Sequence, residues 1–348
     1  MNKSIKDSIE DRLNKAWYGT SGSALSTALN PLSVVYRNAL RLSKPRNRDI
    51  YRSPLPIIVI GNIVVGGAGK TPLVLALCEH LRQQGWRPAV LSRGYRAQVD
   101  RFPHMVSDRD DAITVGDEPK LLHSRLGLPV CIDPERSRGA RYLFAHKLCD
   151  VIVLDDGLQH LKLARDIEIA VVDGQRLLGN GLCLPAGPLR EPKSRLSEVD
   201  YVVMNGVPSS VELKYDAVMT LKADEVENIV TGERLNVALF KERLDNAGLL
   251  AVCGIGNPRR FFQTLLDNDL HHTSRPFADH HQYEAADLRV EQGQQLIMTE
   301  KDAVKCRSIA DEHHWFLRIS AALPAVFYQA VTQQLKQASI DLAKAYNN

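Results

Sequence analysis

The segment around residue 60 limits the fold more than any other. Ile57-Ile58-Val59-Ile60 is a short β-branched run, the composition of a strand buried on both faces. A glycine-rich stretch follows from Gly61 to Lys70. Residues 71–84 then place Leu73, Leu77 and Leu81 on one helical face, and Gly85 stops the helix. The turn itself reads Val65-Gly66-Gly67-Ala68-Gly69-Lys70-Thr71. Glycines let a backbone curl with its N–H groups pointing inward, which suits phosphate. Lys70 offers a point charge to β- and γ-phosphates, Thr71 a hydroxyl to Mg²⁺, and the helix its positive dipole end. The usual phosphate loop begins on a glycine five residues before its Gly-Lys pair, and here that position is Val64.

Strand and helix keep alternating downstream. Ala89-Val90-Leu91, Val130-Cys131-Ile132, Val151-Ile152-Val153-Leu154, residues 167–172 and Tyr201-Val202-Val203-Met204 read as strands, and residues 118–126 and 136–148 as helices. The expectation is an α/β, P-loop NTPase-like fold with a mostly parallel sheet flanked by helices. Near residue 212 the pattern breaks. Residues 214–240 read as an antiparallel ribbon turning at Thr231-Gly232. A second α/β unit follows, with strands at 249–252, 295–299 and 315–319, a turn at Gly254-Ile255-Gly256-Asn257-Pro258 and a helix at 259–266. Pro324 opens a C-terminal helix over 324–346. The expected organisation is an N-terminal segment (1–50), a P-loop domain (51–213), a ribbon linker (214–240) and a smaller α/β lobe carrying the C-terminal helix (241–348).

The N-terminal segment has no signal-peptide pattern and no apolar stretch of the roughly 20 residues that span a bilayer. Residues 24–43 instead carry an apolar helical stripe: Leu25, Ala28, Leu29, Leu32, Val35, Tyr36, Ala39 and Leu40. Arg37, Arg41, Lys44, Arg46, Arg48 and Arg52 edge it, and Trp17 and Tyr18 lie upstream. Two readings fit: a helix lying in a membrane interface, or a helix packed on the protein's own core with a basic outer face. Net charge is only +3, which argues against a nucleic-acid partner. The six cysteines show no metal-ligand or redox spacing and sit mostly in apolar runs, as buried thiols do.

Three further constellations carry chemistry. Val151 to Leu154 runs into Asp155-Asp156-Gly157-Leu158-Gln159-His160, an apolar strand ending in acid, the usual partner of a phosphate loop. Such an acid holds Mg²⁺ directly or through water, and either Asp155 or Asp156 qualifies. Gly116-Asp117-Glu118-Pro119 opens a helix, so Asp117 is either a plain N-cap or an acid of the same cleft. Asp279-His280-His281 is either a solvated loop or a source of a base that titrates near neutrality. Paired histidines also suit zinc, but no further ligand lies at a telling spacing. Ser92-Arg93-Gly94-Tyr95, Thr299-Glu300-Lys301-Asp302 and the Pro/Gly loop from Leu184 to Pro192 read as cleft loops or as turns with solvated charges.

Taken together, these segments resemble the tetraacyldisaccharide 4'-kinase family of lipid A biosynthesis, from about residue 15 to beyond 305. The resemblance rests on Gly61-Asn62-Ile63-Val64-Val65-Gly66-Gly67-Ala68-Gly69-Lys70-Thr71-Pro72, Ser92-Arg93-Gly94-Tyr95, Gly116-Asp117-Glu118-Pro119 and Asp155-Asp156-Gly157-Leu158-Gln159-His160. Leu189-Arg190-Glu191-Pro192, Asp279-His280-His281 and Thr299-Glu300-Lys301-Asp302 complete it. The family shares the missing first glycine. It implies transfer of the ATP γ-phosphate to the 4'-hydroxyl of a lipid A disaccharide 1-phosphate, with Mg²⁺, at the cytoplasmic face of a Gram-negative inner membrane. It implies a two-lobed fold with an N-terminal membrane-binding helix; with the base on one lobe and the P-loop on the other, the lobes are expected to close over substrate. By motif, Asp117 and His280 would assist the acceptor hydroxyl. Gly66, Gly67, Ala68, Gly69, Lys70 and Thr71 would hold the phosphates, and Thr71 with Asp155 and Asp156 the metal. Arg93, Glu118, Gln159, His160, Arg190 and Glu191 are candidates for holding the acceptor. A rival remains, since the same glycine core occurs in membrane-associated P-loop ATPases that switch partners.

Overall fold

The computed structural model describes residues 12–19, 23–210, 213–244, 248–279 and 281–347. After a helical stretch at residues 12–18, the chain forms α1 (Ala24–Leu42), β1 (Ile57–Gly61), α2 (Lys70–Gln83), β2 (Pro88–Ser92) and β3 (His104–Met105). Next come α3 (Ala112–Val115), α4 (Asp117–Leu126), β4 (Val130–Ile132), α5 (Arg136–Ala145), β5 (Val151–Asp155), β6 (Ile167–Asp173) and β7 (Tyr201–Asn205). The remainder is β8 (Ala217–Asn228), β9 (Arg234–Asn236), α6 (Val237–Leu244), β10 (Leu249–Cys253), α7 (Pro258–Asp267), β11 (Thr273–Pro276), β12 (Gln295–Thr299), α8 (Glu300–Cys306), β13 (His314–Ala322) and α9 (Ala325–Asn347). Two compact units result. One comprises Met1–Lys70, Val151–Thr220 and Leu323–Asn348, the other Thr71–Asp150 and Leu221–Ala322.

The first unit is built on β8, β7, β6, β1 and β5, side by side and all parallel. Every residue of β1, β5 and β6 is buried, as the unbroken Ile/Val/Leu runs of β1 and β5 require. Parallel strands present all their carboxyl ends along one edge. That edge carries the Gly-rich loop after β1, Asp155-Asp156 after β5, Asp173 after β6 and Asn205 at the end of β7.

The sequence assigns the C-terminal helix to the second lobe, but α9 belongs to the first unit. Gln334 Nε2 donates to Asp200 Oδ1 at 2.8 Å, and the Phe327 ring meets Tyr201 edge-on at 5.6 Å. A helical periodicity reveals which face is apolar but not which partner covers it.

Helix α1 packs in an unexpected sense. Its buried residues are Ser26 and Ser33. Ser33 Oγ donates to the Cys183 carbonyl at 2.6 Å and accepts from the Ala186 N–H at 3.1 Å. Ser26 Oγ donates to the Ala16 carbonyl and accepts from Asn180 Nδ2. Of the stripe residues, Leu25, Leu32 and Val35 are 40%, 54% and 64% exposed, whereas Leu29, Tyr36 and Leu40 are partly buried and the Tyr36 hydroxyl donates to the Arg190 carbonyl at 3.1 Å.

In the second unit, β2 and β4 pair in parallel and β3 closes antiparallel on β4. The strands β11, β10, β12 and β13 form a parallel set in that order. Trp315 and Phe240 are fully buried at its core, with ring centroids 5.1 Å apart. The ribbon expected over 214–240 exists as β8 and β9, paired antiparallel from Glu225↔Asn236. Its first strand is not confined to the ribbon, because Ala217–Met219 pair in parallel with β7.

Candidate active site

The phosphate loop explains its own missing glycine. Val64 forms an antiparallel bridge with Leu189. On either side, the Arg190 N–H donates to the Ile63 carbonyl at 2.7 Å and the Val65 N–H to the Pro188 carbonyl at 2.8 Å. That position is extended, where a β-branched residue is favoured and a glycine is not needed. The left-handed turns come later, at Gly66 (φ +102°) and Gly69 (φ +85°). A Cβ on Gly66 or Gly67 would meet nothing within 4 Å, so the loop presents bare backbone to open space. Tyr18, Asp173 and Arg176 line the hollow beside it.

Lys70 closes the loop and enters α2. Its ammonium lies 3.2 Å from Asn62 Oδ1 and 3.3 Å from Asp156 Oδ1. The register Ile60↔Asp155 brings the end of β5 level with the end of β1. Asp155 is buried, and Asp156 adopts a left-handed φ of 54° that ends the strand sharply. Arg190 Nη1 meets Asp156 Oδ2 at 3.2 Å. Burial opposes the Asp156 charge, yet Lys70 and Arg190 outweigh it and hold the carboxyl below its ordinary pKa.

Gln159 and Glu191 join the same cluster. Gln159 Nε2 donates to Glu191 Oε1 at 2.6 Å and to the Asn62 carbonyl at 3.1 Å. Glu191 faces Arg195 Nε at 3.4 Å, and Arg195 with Arg165 clasps Glu168. His160 holds Arg165 through its carbonyl, at 2.8 Å. Thus Lys70, Asp156, Gln159, Arg190 and Glu191 converge within the first unit.

The second unit assembles another group. Asp117 is not an N-cap. Gly116 (φ +93°) caps α4, and Asp117 lies in its first turn, 9% exposed. One side chain that meets it comes from α8. Lys301 Nζ lies 2.9 Å from Glu118 Oε1 and 3.7 Å from Asp117 Oδ2. Burial opposes the Lys301 charge, but Glu118, Asp117 and Asp279 together raise its pKa above the ordinary value. Alongside, Arg125 grips both oxygens of Glu300 at 2.8 and 2.6 Å, and burial still raises the Glu300 pKa. The motifs Gly116-Asp117-Glu118-Pro119 and Thr299-Glu300-Lys301-Asp302, legible only as separate turns, therefore form one ion cluster.

Arg93 and the neighbouring Tyr95 are exposed after β2. His280 lies outside the described residues. His281 is engaged elsewhere: its Nε2 pairs with Asp287 Oδ2 at 2.9 Å and its ring stacks on Phe277 at 4.4 Å. Sequence reasoning passed over Asn62, Asn205 and Lys301 as site residues. Asn62 and Lys301 stood inside quoted motifs, but only the fold shows what each touches. Nothing local distinguishes Asn205.

Comparison with known proteins agrees along nearly the whole length. The family model for tetraacyldisaccharide-1-P 4'-kinase matches residues 25–336. The tetraacyldisaccharide 4'-kinase of Ectopseudomonas mendocina is 45% identical over 94% of this chain and 98% of its own. That of Pseudomonas putida strain W619 is 44% identical over 94% and 97%. The crystal structure of an "apo" form LpxK from Aquifex aeolicus in complex with ATP has a TM-score of 0.75 to this chain. It is 26% identical, with coverage of 90% of this chain and 99% of that one.

Proposed function

The chain belongs to the tetraacyldisaccharide-1-phosphate 4'-kinase family, and from that premise we propose how its residues divide the work. It is an ATP-dependent kinase of lipid A biosynthesis. The Pγ–O bond to the ADP leaving group breaks, a bond forms from Pγ to the 4'-oxygen of the disaccharide 1-phosphate, and the hydroxyl proton passes to a base. The membrane-associated switch ATPase is not favoured, because the kinase relatives match across both units rather than the glycine core alone.

The observation that carries the site assignment is Lys70, held by Asn62 and Asp156 at the head of an open glycine loop. The loop from Gly66 to Thr71 cradles the phosphates by its backbone N–H groups, and Lys70 neutralises their outer oxygens. Mg²⁺, when bound, would supply positive charge to offset what develops on the phosphates. Thr71, in the first turn of α2, and Asp155 and Asp156, at the end of β5, would hold it: all are hard oxygen donors, and Mg²⁺ needs few protein ligands. His280 accepts the acceptor proton and Asp117 orients it. The engagement of His281 with Asp287 supports choosing His280. Arg93, Arg190, Glu118, Gln159, His160 and Glu191 serve acceptor recognition, with the two arginines suited to the 1-phosphate.

Helix α1 meets the membrane surface with the apolar side that its serine seam leaves outward. ATP and the lipid acceptor would then meet at the cytoplasmic face of a Gram-negative inner membrane. The pseudomonad relatives fit that setting. Among the described residues no helix is long and apolar enough to cross a membrane.

Transfer of ³²P from γ-labelled ATP to the disaccharide 1-phosphate in detergent micelles tests the site. Label on the lipid should be nearly abolished by Lys70→Ala and lowered about 10²–10⁴-fold by His280→Ala. Near-full turnover in His280→Ala at saturating lipid rejects that base. For the helix, Leu32→Glu combined with Val35→Glu should weaken flotation with anionic vesicles at least about tenfold. Unaltered flotation rejects the helix as the membrane contact.

A further inference from the structure

Two buried asparagines grip the phosphate loop from behind. Asn62, directly after β1, is fully buried, and its Nδ2 donates to the Val64 carbonyl at 2.7 Å and the Gly66 carbonyl at 3.2 Å. Its Oδ1 accepts from Lys70 Nζ at 3.2 Å. The orientation of this amide is fixed by chemistry, since an ammonium can only donate and the atom facing Lys70 must be oxygen. Asn205, the last residue of β7, is 1% exposed, and its Nδ2 donates to the Ala68 carbonyl at 2.9 Å. Three alternate carbonyls of the loop are thus tied to side-chain amides.

We propose that Asn62 and Asn205 are positioning residues for phosphoryl transfer, which hold the loop in its phosphate-binding shape before nucleotide arrives. The proposal rests on the phosphate-loop reading above. A trans peptide is planar, so its C=O and N–H point in opposite directions. Drawing the Gly66 and Ala68 carbonyls toward the asparagines turns the N–H groups of Gly67 and Gly69 to the other side. Left untethered, those carbonyls would be free to turn toward the phosphate oxygens and repel them. Gly69 is part of the device, since a Cβ there would collide with the Asn205 amide. Asparagine suits both places because it donates without bringing a charge against the loop. Aspartate of the same size would set oxygen against oxygen. Asn62 also sets the resting place of the Lys70 ammonium, so one side chain fixes the loop and its lysine together. A loop preformed in this way spends no binding energy on ordering itself.

The test is steady-state kinetics of the full chain with both substrates varied, on Asn62→Ala, Asn62→Asp and Asn205→Ala, with Lys70→Ala alongside. The KM for ATP should rise on the order of 10- to 100-fold, while the KM for the lipid acceptor stays within about twofold. Asn62→Asp should match Asn62→Ala near neutral pH. An unchanged KM for ATP in the Asn62 variants overturns the proposal. A loss shared equally by both substrates overturns it too, since that is the mark of a general structural role. If Asn62→Ala does not fold, the isosteric Asn62→Asp and the shorter Asn205→Ser decide by the same readouts. Near-full turnover in Lys70→Ala is a different failure, one that strikes the phosphate-loop reading itself.

Discussion

The molecule contains two strand–glycine-turn–helix corners that look alike in sequence. One joins β1 to α2 and the other joins β10 to α7, and both strands are buried along their whole length. In the first, Gly66 and Gly69 take left-handed φ values and the backbone faces open space. In the second, Gly254 and Gly256 stay outside that region, and Pro258 opens the helix without an N–H to offer. The Gly254 N–H already donates to Asp302 Oδ2 at 3.0 Å, and the Asp279 carboxylate stands 3.3 Å from where a Gly256 Cβ would be. The second corner thus meets carboxylates of its own chain where the first can receive phosphate. The strand–turn–helix topology is shared; what each corner can receive is decided by the backbone it exposes and the side chains beside it.

The contrast can be broken by mutation. The largest effect belongs to the open corner: Lys70→Ala should lower turnover about 10²–10³-fold while the urea midpoint moves little, because Asp156 keeps Arg190. Substantial unfolding would mean that this corner is as structural as the other. Next comes Asp302→Ala in the closed corner. It removes a fully buried carboxylate bonded to the Gly254 N–H, Thr299 Oγ1 and Lys305, and should cost about 3 kcal/mol of stability by urea denaturation. The KM for ATP should not change. A raised KM with native stability would show the closed corner to serve nucleotide after all.

The smallest effect is in pH dependence, and the two corners should differ in sign. Asp156 has a depressed pKa in the fold, so its contribution is complete above its ordinary value of 3.8 and is lost as pH falls through the lower folded value. Lys301, close to Asp279 of the closed corner, has a raised pKa. Its contribution is complete below its ordinary value of 10.5 and is lost as pH climbs toward the higher folded one. Denaturation midpoints of Asp156→Asn and Lys301→Met across pH should therefore flatten the acid and alkaline limbs respectively. The same limb flattened by both would erase the distinction.

How much of this was legible beforehand depends on sequence separation. The glycine loop and the strand ending in Asp155-Asp156 are contiguous, so residue order alone conveys their chemistry. The pairing of Glu118 with Lys301 bridges 183 residues, and each acid or lysine alone is indistinguishable from a solvated charge. Ser26 and Ser33 lie between the residues of the apolar stripe, and nothing local marks them. Their bonds to Asn180 and Cys183 depend on a loop about 150 residues away, which is why the docking face of α1 was not legible. Asn205 is the same case, an unremarkable strand end until the fold sets it against Ala68.

Those separations bear on synthesis of the chain. The phosphate loop takes its shape from the bridge to Leu189 and from Asn205, the latter 137 residues beyond the carbonyl it holds. A nascent chain emerging from the ribosome has translated its nucleotide motif long before either support exists. Domains generally acquire structure as their contacts become available during synthesis. If these supports shape the loop as proposed, competence to bind nucleotide arrives after the stretch through residue 205 has cleared the exit tunnel, and a chain stalled before that point carries the motif without the site.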